Sequence, residues 1–114
     1  MIKIYHNPRC SKSRETLKIL ESSGVEFVIV EYLKTPLSRG ELLKIMSLLN
    51  VAPRNAMRIK ETIYKELSLG DATKTEDDLI SAIIDNPILL ERPIIVTDKG
   101  VCICRPPELV RNYI

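Results

Sequence analysis

The stretch from Met1 to Val30 limits what this chain can fold into more than any other. Residues 1–5 (Met1-Ile2-Lys3-Ile4-Tyr5) read as a short strand, residues 10–23 as a helix, and Phe27-Val28-Ile29-Val30 as a second strand. Gly24 stands where a left-handed residue ends a helix. Strand, helix and strand in so short a span form a βαβ unit, with parallel strands and a right-handed crossover. The continuous apolar run 27–30 predicts a strand buried on both faces.

The rest of the chain extends this start. Tyr32 to Pro36 is a connection, and Ser38-Arg39-Gly40-Glu41 has the form of a capping box. Leu42, Ile45, Met46 and Leu49 follow at helical spacing. Pro53 interrupts, and Ala56-Met57-Arg58 is expected in a short helical turn. Ile63, Tyr64 and Leu67 suggest a short helix before Gly70. Thr75-Glu76-Asp77-Asp78 opens another, with its acids where the helix dipole favours them. Leu79, Ile80, Ile83 and Ile84 form its inner face, and Pro87 ends it. Pro93–Thr97 and Val101–Cys104 flank Asp98-Lys99-Gly100 as an antiparallel hairpin, and Pro106-Pro107-Glu108 opens a final helix. The order βαβ, helical insertion, ββα is that of an α/β thioredoxin-like fold with a mixed four-stranded sheet. The expectation is one domain over 1–114, with the insertion at about 36–90.

The chemistry gathers at His6-Asn7-Pro8-Arg9-Cys10-Ser11-Lys12-Ser13-Arg14. Cys10 falls at a strand-to-helix turn, beside N–H groups that have no partner inside the helix. Those groups, the helix dipole and three nearby cations (Arg9, Lys12 and Arg14) favour a thiolate, the reactive form of cysteine. They would also hold an oxyanion beside it. A buried cysteine acting as a small apolar side chain is the plainer alternative, but Pro8, Arg9, Ser11, Lys12 and Ser13 are not core residues. Thr16 stands where a Cys-x5-Arg phosphatase loop needs arginine, and Ser13 where a Cys-x-x-Cys redox pair needs its second thiol. The electron donor is therefore expected to be an outside thiol.

Other candidates have two readings each. His6, the one histidine in the chain, either tunes Cys10 or is bonded to backbone in the turn. Cys102 and Cys104 share one strand face and belong to the sheet core. Their spacing, with a single residue between them, also speaks against a zinc site. Arg58, Arg92 and Arg105 are surface charges taken singly, and an oxyanion site if they converge.

Several pieces resemble one family when read together. They are Tyr5-His6-Asn7-Pro8-Arg9-Cys10 with Ser13-Arg14, Arg58, Asn86-Pro87-Ile88-Leu89 with Glu91-Arg92-Pro93-Ile94-Ile95-Val96-Thr97, and Cys104-Arg105-Pro106-Pro107-Glu108. In this order along the chain they resemble the glutaredoxin-coupled arsenate reductase (ArsC) family. Ser11-Lys12 after the cysteine is similar to a Ser-Lys subgroup whose oxidised substrate can differ. The resemblance implies that Cys10 is the nucleophile, with His6 beside it. It implies that Arg58, Arg92 and Arg105, together with Ser13 and Arg14, bind arsenate or a similar oxyanion. Glutathione is then a co-substrate and glutaredoxin a partner, no cofactor or metal is bound, and Pro93 takes the cis form. Spx-type transcription regulators, which bind RNA polymerase, share this fold and length. They generally carry the Cys-x-x-Cys pair that Ser13 breaks.

Composition sets outer bounds. The chain has 114 residues, 45% hydrophobic and 28% charged, which suits one folded domain rather than disorder. A net charge of +2 does not by itself suggest a nucleic-acid partner. No apolar run approaches the ~20 residues of a membrane span, and the three cysteines have no disulfide-framework spacing. Cytoplasm and monomer are the default expectations.

Overall fold

The structure is a computed structural model that describes residues 2–114. Met1, part of the expected first strand, lies outside the described residues. Contacts divide the chain into two compact units: the stretch up to Thr35 with Arg92–Ile114, and Pro36–Glu91.

The first unit holds strands β1 (Ile2–Tyr5), β2 (Phe27–Val30), β3 (Ile94–Thr97) and β4 (Gly100–Ile103), with helix α1 (Ser11–Ser23). The sheet runs β2-β1-β3-β4. β1 pairs with β2 in parallel, while β1 with β3 and β3 with β4 are antiparallel. This is the mixed four-stranded, thioredoxin-like α/β arrangement expected from the element order. Gly24 closes α1 in the left-handed conformation at φ 75°. The core gathers Ile4, Leu20, Ile95, Cys102, Cys104 and Val110, so both strand-face cysteines are core residues. The inner face of α1 also buries Ser13 and Thr16, whose hydroxyl donates to the Lys12 carbonyl at 2.9 Å.

Two expectations for this unit need correction. β2 is not buried on both faces: Val28 is 41% and Ile29 46% exposed. β2 is an edge strand, with β1 on one side only, so its apolar run marks strand pairing rather than double burial. The last segment, Pro107–Asn112, is a 3₁₀ helix. Prolines at its start remove amide donors, and Leu109 closes onto the Pro106 carbonyl three residues back. The Arg92–Pro93 bond is cis, as the family resemblance implies, and so is Arg105–Pro106.

The second unit is helical: α2 (Arg39–Leu49), α3 (Thr62–Glu66) and α4 (Glu76–Asp85). Ser38 caps α2 by accepting the Glu41 N–H, and Thr75 and Asp78 form a reciprocal capping box on α4. Leu42, Ile45 and Met46 of α2 and Leu79, Ile80 and Ile83 of α4 are buried. Ala56-Met57-Arg58 is not one helical turn. The 3₁₀ turn is Pro53–Ala56, and Met57 is already extended, bridged antiparallel to Leu90. The Arg58 N–H donates to the Leu89 carbonyl at 2.7 Å, a long-range pairing that outweighs the local helical tendency. Among the described residues, no helix is long and apolar enough to cross a membrane.

Leu20 is fully buried in the first unit's core, so Leu20→Ala should lose about 2–5 kcal/mol of stability in urea unfolding. Thr75→Ala removes only an exposed cap and should cost about 1 kcal/mol in the same measurement.

Candidate active site

The turn between β1 and α1 is built around Asn7, which is 3% exposed. Its carbonyl accepts the Cys10 N–H and its side-chain Oδ1 accepts the Arg9 N–H, both at 3.0 Å. Its own N–H donates to Ser13 Oγ at 3.1 Å. These bonds fold residues 7–10 back on the first turn of α1 and set Cys10 at the N-cap, with extended backbone. Asn7 was not among the residues singled out from the sequence. The signal was present, because an Asn-Pro pair favours a turn in which the asparagine side chain bonds the backbone two residues on.

His6 and Ser13 occupy the inner side of this turn. His6 Nδ1 lies 2.6 Å from Ser13 Oγ, and both residues are buried. Burial lowers the pKa of His6; Glu31 opposes this and Arg14 adds to it. The ring is therefore neutral near pH 7. Ser13 Oγ accepts the Asn7 N–H and shares a hydrogen bond with the His6 ring. The hydroxyl of Ser13 thus faces His6 and Asn7, while its amide faces the sulfur.

α1 begins differently from α2 and α4. It has no acidic residue in its first turn, and no side chain makes a full capping bond there. The positive end is left to the Cys10 side chain. Burial by itself pushes the Cys10 thiol up. The Ser13 amide, the Arg92 guanidinium and the Lys12 amide together outweigh burial, so the thiol ionises below the ordinary cysteine range.

The expected arginines have distinct surroundings. Arg92 is only 8% exposed and acts directly on Cys10. Its Nε and Nη1 have no hydrogen-bond partner among the described residues. Arg105 is exposed and turns Nη1 onto the Arg92 carbonyl at 3.1 Å. The fold therefore brings Arg105 to Arg92, and Arg92 to Cys10. Arg14 donates from Nη1 to the Pro8 carbonyl at 2.9 Å in an exposed position. Arg58 belongs to the helical unit, where Glu91 lies 3.2 Å and Glu61 3.9 Å from its guanidinium.

Known proteins resemble the chain along nearly its whole length. A family model described as the ArsC family matches residues 5–113. An uncharacterized Escherichia coli K12 protein, YfgD, is 51% identical, covering 99% of this chain and 96% of its own length. An Escherichia coli arsenate reductase is 44% identical over 99% of this chain and 80% of its own length. Among solved structures, an arsenate reductase from Vibrio cholerae superposes with a TM-score of 0.95 at 44% identity. The match covers 99% of this chain and 97% of that one.

Two titrations check the site. Alkylation of Cys10 against pH should show a midpoint below that of a free cysteine, and Arg92→Gln should raise it; an unchanged midpoint would contradict the electrostatic account. His6 should give one imidazole resonance that titrates below 6.5. Because its folded pKa is depressed, its stabilising contribution is complete above 6.5 and is lost as pH falls through the folded value. His6→Asn should remove that acid-side slope from urea unfolding curves.

Proposed function

The chain belongs to the ArsC family, and from that premise we propose that it reduces arsenate to arsenite through one nucleophilic cysteine, Cys10. Glutathione and glutaredoxin supply the electrons, in the cytoplasm, where small thiols are kept reduced. The observation that carries this reading is Arg92. A guanidinium is buried against an activated sulfur, while its Nε and Nη1 have no hydrogen-bond partner among the described residues. A buried cation in that state calls for an anion, and a tetrahedral oxyanion fits its planar fork.

In this reading the Cys10 thiolate attacks arsenic and an oxygen leaves as water. Arg92 binds the oxyanion and stabilises the charge that builds on its oxygens. Arg105, fixed to the Arg92 carbonyl, completes the oxyanion-binding pair. His6 stays neutral and, through Ser13, holds the turn. It orients the first turn of α1 rather than acting as a second charge. Over one turnover arsenic takes up two electrons, and two thiol groups lose them to form a disulfide.

The other cysteines support an external thiol as donor. Both are buried, and burial with Cys102 alongside pushes the Cys104 thiol far above the ordinary range. A protonated core thiol does not attack an adduct on Cys10. Relatives named arsenate reductase, at 40–44% identity, support the choice of arsenate.

The assay is arsenate-dependent NADPH consumption with glutathione, glutaredoxin and glutathione reductase. Wild-type protein should turn over, Cys102→Ala should retain activity, and Cys10→Ser should fall to background. Arg92→Gln should lower kcat/KM for arsenate on the order of 100-fold. No arsenate-dependent consumption by the wild type, or undiminished turnover by Cys10→Ser, would remove the proposal.

A further inference from the structure

The cations near Cys10 lie at two depths. Arg92 is buried against the sulfur. Arg14 and Lys12 lie outside, on the first turn of α1. Arg14 spends one N–H on the Pro8 carbonyl, two residues before Cys10, and this exposed bond pins its guanidinium to the outer side of the loop. Its remaining donors stay open to water. The Lys12 side chain is 45% exposed, and its partner Glu15 is equally open at 3.8 Å, a pairing that solvent weakens. No aspartate or glutamate occurs between His6 and Arg14.

We propose that Arg14 and Lys12 form an outer anion subsite that selects the thiol reacting at Cys10, favouring small thiols that carry a carboxylate over cationic ones. This rests on the reading that an external thiol completes turnover, and it adds the residues that choose that thiol. Cys10 is partly exposed, and its inner side is taken up by Arg92 and by the His6–Ser13–Asn7 network. An incoming thiol therefore passes the loop 8–10 and the first turn of α1. A net positive charge along that path, with Arg9, Lys12 and Arg14 against Glu15, raises the encounter rate of an anion and lowers that of a cation, even where each contact is weak. The division of labour follows from depth. The buried guanidinium suits an oxyanion stripped of water, and the exposed pair suits a carboxylate that keeps part of its hydration.

Thiol–disulfide exchange tests this without arsenate. The Cys10 thiolate attacks one sulfur of a symmetrical disulfide. A new S–S bond joins Cys10 to one half, and the other half leaves as a thiolate with the electron pair. The probes are 3,3′-dithiodipropionate, a dianion, and cystamine, a dication, with the Cys10 adduct followed by mass spectrometry. The readout is the ratio of the two rates in wild type, Arg14→Gln and Lys12→Gln, at low salt and at 1 M salt. A change in Cys10 ionisation moves both rates together and cancels in the ratio.

At low salt the anion-to-cation ratio should fall about five-fold in each variant. Near 1 M salt, where the screening length is about 3 Å, wild type and variants should converge. A ratio that neither substitution changes, or that is the same at both salt concentrations, overturns the proposal. The outcome is separable from the arsenate reading. Selective exchange in a protein that fails to reduce arsenate keeps the subsite and discards the substrate, and an active reductase with an unselective ratio does the reverse.

Discussion

A sulfur held between two helix amides and a buried guanidinium, which together ease its ionisation, is the interaction on which the site depends. Taking a thiol partly out of water disfavours its ionisation, and here that cost is outweighed by groups that are already oriented. The amides of Lys12 and Ser13 point at the sulfur because α1 begins at Ser11, and Arg92 is present because its strand neighbours pair with β1. None of these groups has to reorganise when charge develops on the sulfur, which is the condition for electrostatic stabilisation to act on a reaction.

That geometry needs a turn that does not drift. Asn7 supplies three of its bonds, two from the backbone and one from the side chain, and Ser13 ties it to His6. Small polar residues serve here because a short side chain can bond the local backbone and remain buried without an orphaned group. The neutral His6 ring fits the same logic: burial disfavours a charged imidazole there, and Arg14 repels one. Cys104 has the opposite setting, an apolar core that keeps its sulfur protonated. One element type, cysteine, thus has two chemical characters in a chain of 114 residues, decided by surroundings alone.

Much of the fold was legible because the signals are local. Gly24 closes α1, Thr75 with Asp78 caps α4, and the apolar spacing of α2 and α4 places their buried faces. Apart from the 3₁₀ form of Pro107–Asn112, which its own prolines set, the structure departs from the sequence expectations where a distant segment intervenes. Met57 leaves the helical conformation to bridge Leu90, and Val28 and Ile29 are exposed because β2 is an edge strand. A run of four apolar residues reads the same at the centre of a sheet and at its edge. At the site, Cys10, His6 and Ser13 stood out by type and spacing, whereas Asn7 was passed over although its turn chemistry was written in the Asn-Pro pair.

By itself, the sequence determined the strand–turn–helix start, the cysteine at the helix end, the missing second thiol at Ser13 and the core character of Cys102 and Cys104. These follow from rules that act within a few residues: dihedral preference, capping, periodicity and composition. The tertiary structure decided the strand order and, through it, which charges meet. Arg92 comes from far along the chain to the sulfur, Arg105 to the Arg92 carbonyl, and Arg14 to the outer side of the loop. The physical reason is that electrostatic influence depends on distance and burial in space, and neither can be read from separation along the chain.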